Sequence, residues 1–152
     1  MPDQARPVTA GTVLAFDFGL QRIGVAVGEA APRTAHPLPP LAAATLPGRF
    51  TAIERLVKEW QPVLFVVGRP LGEDGAPREM TRRAERFARQ LAGRYGLPVQ
   101  LVDERYSSVE VESRIRAAYG RRRAVALARG KALDSQAAQL LLEQYFDERA
   151  NA

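Results

Sequence analysis

Two stretches of this 152-residue chain are apolar on both faces of a strand, and they leave few folds open. In VLAFDF (13–18), Leu14, Phe16 and Phe18 alternate with Val13 and Ala15, so neither face suits water. VLFVV (63–67) is a continuous apolar run of strand length. Strands covered on both sides belong to a sheet with helices on each face. One residue does not fit: Asp17 falls on the Ala15 face, among side chains that look like core. An acid is rarely buried unpaired, because removing its charge from water is costly.

The rest of the chain supplies the other layers. Residues 22–28 form a second strand, joined to the first by a connection short enough to make an antiparallel hairpin. RTAHPLPPLAA is too rich in proline for more than a short edge strand followed by a loop. Phe50, Ile53, Leu56, Val57 and Trp60 predict a helix over 48–60. Over 78–95, Met80, Ala84, Phe87, Leu91 and Tyr95 make an apolar stripe, with Arg82, Arg83, Arg86 and Arg89 largely off it. VQLVDE (99–104) is another strand. Ser107-Ser108-Val109-Glu110 fits a capping box opening a helix to Tyr119. A last helix, from Asp134 to Arg149, is apolar on several sides and so largely buried. The order β-β-(β)-α-β-α-β-α-α predicts one α/β domain over 1–152, a mixed sheet with an antiparallel hairpin at its start and a flexible N-terminus over 1–12.

Three acids occupy telling positions: Asp17 near the end of the first strand, Glu104 at the end of VQLVDE, and Asp134 at the mouth of the last helix. If the strands at 13–18 and 99–104 run parallel, their C-terminal ends share the edge where α/β sheets place ligands. The GRPLGEDG loop leaves its strand at that edge too; it lacks the Gly-Lys-Ser/Thr ending of a Walker loop. The chain has no cysteine, and its single histidine, His36, lies in a Pro-flanked segment without a neighbouring acid or nucleophile. That removes disulfides, His-dependent triads and most zinc chemistry. Converging carboxylates without nitrogen or sulfur ligands suit Mg²⁺ or Mn²⁺. Plainer roles stand beside this one, an N-cap for Asp134 and a solvated strand end for Asp103 and Glu104.

The charge balance points the same way. A net charge of +5 favours a polyanionic partner. Of the 22 basic residues only Lys58 and Lys131 are lysine, and arginine forks match phosphate geometry. Residues 113–133 hold no acid but carry Arg114, Arg116, Arg121, Arg122, Arg123, Arg129 and Lys131, a setting for nucleic-acid contact. No apolar run approaches the ~20 residues of a membrane span, and MPDQARPVTAG lacks a signal-peptide core, so the expectation is a cytoplasmic protein with no membrane partner.

LAFDFGLQRIGVAVGE, VVGRPLGEDG, VDERYSSVEVE and KALDSQAAQLLLEQYF occur in this order, and together they resemble the YqgF/RuvX family of RNase H-like bacterial nucleases. The resemblance runs from Val13 to Phe146. It implies an RNase H-like fold and a metal-dependent phosphodiesterase. Members are associated with maturation of the 5′ end of pre-16S rRNA, and some are described as Holliday-junction resolvases. Carried over by residue, Asp17, Glu104 and Asp134 are the catalytic and metal-binding acids, with Mg²⁺ or Mn²⁺ as the cofactor. Arg22, Arg105 and Ser108 match motif positions that contact substrate. Arg69 departs from the family, which usually has an apolar residue there. It joins Arg121, Arg122, Arg123 and Lys131 as a candidate contact to structured RNA or branched DNA. A junction with two-fold symmetry would favour a homodimer. A non-catalytic nucleic-acid-binding factor of ribosome assembly is the competing reading. An actin-like nucleotide domain is set aside, because such enzymes bind between two domains.

Overall fold

Thr12–Asp17 (β1) is the central strand of a five-stranded sheet. The computed structural model describes residues 8–72, 74–104 and 132–150, the last segment with side chains from Ser135 to Arg149. Arg22–Glu29 (β2) runs antiparallel to β1 and carries His36–Ala42 (β3), also antiparallel, on its outer side. Leu64–Arg69 (β4) lies parallel to β1 on the other side, followed by Val99–Asp103 (β5), parallel again. The order is therefore β3-β2-β1-β4-β5, a mixed sheet with the predicted hairpin at its start.

Both faces of the sheet are buried, as the two-faced strands require. Leu46–Trp60 (α1) and Glu79–Tyr95 (α2) cover one face, and Ala132–Ala150 (α3) covers the other. Leu14 and Phe16 enter the first core, where Phe87 of α2 meets Phe16 edge-on at 5.7 Å between ring centroids. Val13 and Ala15 enter the second, with Ala138, Leu141, Leu142 and Tyr145 of α3. Val8 packs against this second core, and residues 1–7 lie outside the description. The alternation of β1 therefore sorts its side chains between two separate cores.

Local signals set the boundaries. Thr45 caps α1 by accepting from the Gly48 N–H at 3.2 Å. Gly96 closes α2 in the left-handed region at φ 65°. The start of α2 is tied back to the loop after β4 by Thr81, which is fully buried and donates to the Pro70 carbonyl. β3 corrects the sequence expectation in one respect, because it runs seven residues through Pro37, Pro39 and Pro40. An edge strand tolerates proline where the lost donor would face solvent or where the ladder is irregular, and Pro39 and Pro40 lie where the pairing with β2 shifts register between Ile23 and Val25. The helix expected over 107–119 lies outside the described residues.

Candidate active site

Asp17 is the last residue of β1, opposite Gly24 of β2. By alternation from Val13 and Ala15 it faces α3. Glu104 stands just past β5 and shares the face of Val102, which belongs to the α3-side core. β4 lies between the two strands, so their backbones are about two strand spacings, roughly 10 Å, apart. Their carboxyls nevertheless meet: the Asp17 side chain hydrogen-bonds that of Glu104.

Gly68 of β4 makes the meeting feasible. A Cβ there would stand 2.8 Å from Glu104 Oε1 and 2.5 Å from Leu141 Cδ1, closer than real contacts allow. Sequence reasoning missed this role, although a glycine ending an apolar strand is a known mark of close approach. Burial raises the Glu104 carboxyl above its ordinary range, and the bond from Asp17 offsets part of that rise. Two carboxyls in such contact share a proton unless a cation sits with them. Among the described residues no group of three or more potential metal ligands is present.

The third acid is approached from α3. Ser135 is buried; its hydroxyl donates to the Leu38 carbonyl and accepts from the Val25 N–H at 3.4 Å. Val25 is next to Gly24, the partner of Asp17, so the first turn of α3 docks beside the acid pair. Asp134 precedes Ser135 within that turn and is the third residue of the helix, so it is not the N-cap considered for it. Its side chain lies outside the description.

The candidate substrate contacts divide. Arg22 opens β2 at the same sheet edge, exposed and opposite Ala42 of β3. Arg69 is placed on the α2 face, away from the acids. Its Nε donates to Asp103 Oδ1 at 2.7 Å and its Nη1 to Glu85 Oε2 of α2 at 3.4 Å. The bond to Asp103, foremost, raises the guanidinium above its usual pKa. Arg105, Ser108, Arg121, Arg122, Arg123 and Lys131 lie outside the described residues.

The family model for RuvX, described as a Holliday junction resolvase, matches residues 11–148. The chain belongs to the RuvX family. A Ralstonia pickettii relative is 47% identical over 155 residues, covering 99% of this chain and 100% of its own length. A Thiobacillus denitrificans relative is 50% identical over 145 residues, covering 95% and 97%. Both are named "Putative pre-16S rRNA nuclease". Among solved structures, Thermus thermophilus RuvC in complex with Holliday junction substrate superposes with a TM-score of 0.56 at 19% identity, over 93% of this chain and 98% of that one. The fowlpox virus resolvase with junction DNA gives 0.56 at 12% identity, over 91% and 98%. At those identities the likeness is one of fold, and it agrees with the RNase H-like sheet expected of the RuvX family. No described helix is long and apolar enough to cross a membrane.

Proposed function

We propose that this chain is a nuclease that hydrolyses phosphodiester bonds with Mg²⁺ or Mn²⁺ held by Asp17, Glu104 and Asp134. The observation that carries the reading is the Asp17–Glu104 carboxyl pair, seated over Gly68 at the edge of a rigid sheet. A desolvated acid pressed against a second acid is costly to ionise, and a divalent cation removes that cost. The donors are all hard oxygen, which fits Mg²⁺ or Mn²⁺. When bound, such ions stabilise the attacking and leaving oxygens of a phosphodiester displacement. The chain's own residues do the rest. β1 and β5 fix the two carboxylates, and Ser135 anchors the turn that carries Asp134. Arg22 at the same edge meets the backbone phosphates, and the basic segment 113–133 draws the strand in.

The names of the relatives favour pre-16S rRNA as substrate, and the family resemblance favours its 5′ leader, in the cytoplasm. The family description and the junction-bound fold neighbours favour branched DNA as the second reading, with a homodimer matching the junction's symmetry. Purified protein incubated with a pre-rRNA leader, single-stranded RNA, a four-way DNA junction and a duplex, each with Mg²⁺, Mn²⁺ or Ca²⁺, decides between them. The expected result is Mn²⁺- or Mg²⁺-dependent cleavage of the leader, lost in Asp17→Asn. Preferential cleavage of the junction would make the chain a resolvase. Tight binding with no product under any ion would make it a non-catalytic assembly factor.

A further inference from the structure

We infer that Arg69 and Gln144 are positioning residues for Glu104, acting through the Asp103–Glu104 peptide from opposite faces of the sheet. The inference rests on the metal-site reading above and concerns what holds one of its acids in place. Glu104 follows a five-residue strand on the outer side of β4, where a strand end is prone to fray. Three contacts oppose that. The Glu104 N–H donates to the Arg69 carbonyl at 3.1 Å, carrying the β4–β5 ladder one step past β5. The Asp103 side chain is gripped on the α2 face by Arg69 Nε at 2.7 Å, and Arg69 is itself braced by Glu85. On the α3 face, the Gln144 Nε2 donates to the Asp103 carbonyl at 2.8 Å and to Glu148 Oε1 at 3.1 Å.

Magnitudes separate positioning from mere stability. The Arg69 and Asp103 side chains are 33% and 52% exposed, and ion pairs that exposed add little to folding. A metal ligand, in contrast, must be held to roughly 0.5 Å. Gln144 is buried, and both donors of its amide are spent on these two acceptors, while its Oε1 has no partner among the described residues. A buried amide left with an orphan oxygen is an expensive way to fill space, whereas as a brace on the Asp103 carbonyl it has a use.

The test compares Arg69→Leu and Gln144→Met with wild type. Three readouts are taken: Mn²⁺ affinity by titration, kcat and KM on the cleaved nucleic acid, and hydrogen exchange at the Glu104 amide without metal. Each variant should bind Mn²⁺ about 10–100-fold more weakly, as for other outer partners of metal ligands. kcat should fall with KM unchanged, and the Glu104 amide should exchange faster. Arg69→Lys, which keeps a donor for Asp103, should recover most of the loss. Adding Asp103→Asn to Arg69→Leu should cost nothing further, because both act through one contact. A raised KM in Arg69→Leu with unchanged kcat and Mn²⁺ affinity would make Arg69 a substrate contact and overturn the inference. Wild-type exchange at Glu104 in both variants would overturn it as well. If wild type takes up no Mn²⁺, the metal-site reading falls, and the exchange measurement alone decides whether the brace exists.

Discussion

Asp17→Asn and Glu104→Gln keep side-chain volume and remove charge, so each should abolish cleavage while circular dichroism and nucleic-acid binding stay near wild type. Turnover close to normal in either variant would remove that acid from the site. The pH dependence of stability follows from Glu104 in the metal-free protein. Burial, partly offset by the bond from Asp17, raises its carboxyl above the ordinary 4.5. The folded state then holds this proton more tightly than the unfolded chain does. The resulting contribution to stability is full below pH 4.5 and is lost as pH climbs through the raised value. Thermal unfolding in EDTA should therefore show a decline over that window that Glu104→Gln lacks. Gly68→Ala tests the cradle: a methyl 2.8 Å from Glu104 Oε1 and 2.5 Å from Leu141 Cδ1 forces one of them to move. Such overpacking costs about 1–3 kcal/mol, and denaturant unfolding together with cleavage rate should register both losses.

At the scale of elements, α3 both closes a core and presents an acid, and two substitutions separate these tasks. Ser135→Ala removes the hydroxyl that bonds Leu38 and Val25, leaving the buried Val25 N–H and the half-buried Leu38 carbonyl short of a partner at a cost of about 1–3 kcal/mol. Because Asp134 is the preceding residue, Mn²⁺ affinity should fall with stability. Leu142→Ala, fully buried in the same core and next to Gly28 rather than Gly68, should cost more, about 2–5 kcal/mol, yet leave Mn²⁺ affinity unchanged. Equal metal affinity in the two variants would mean that the first turn of α3 does not set the site. β3 does a different job. Its prolines leave few free donors on an outer strand, which discourages pairing with another sheet.

For the whole molecule, a net charge of +5 sets the long-range attraction to a polyanion. If Arg121, Arg122 and Arg123 meet phosphates, replacing all three by alanine should reduce the slope of log K against log salt by roughly two to three units. Affinity should then drop alike for all sequences, since phosphate contacts carry no base information. Binding titrations at several salt concentrations measure it, and an unchanged slope would show those arginines to be a solvated face. Metal should stabilise the fold as a whole. At a hundredfold excess over Kd the gain is about 2.7 kcal/mol, seen as a Mn²⁺-dependent rise in Tm that the Asp17→Asn/Glu104→Gln/Asp134→Asn protein lacks.

From sequence alone, the alternation of β1, the apolar run of β4 and the stripe of α2 determine a sheet covered on both faces, because a strand's or helix's period is a local property. The same periods place Asp17 and Glu104 at strand ends on one face once the strands are parallel. What joins them is not local. Gly68 serves Glu104 only because β4 lies between β1 and β5, a matter of strand order and register. The partners that hold the site lie far apart along the chain: Arg69 and Asp103 by 34 positions, Gln144 and Asp103 by 41, and Ser135 and Val25 by 110. No local period encodes a contact across such separations. Which side of the sheet Arg69 occupies, and hence that it meets Asp103 and Glu85 rather than Asp17 and Glu104, was decided by tertiary structure alone, because pairing register assigns each side chain its face.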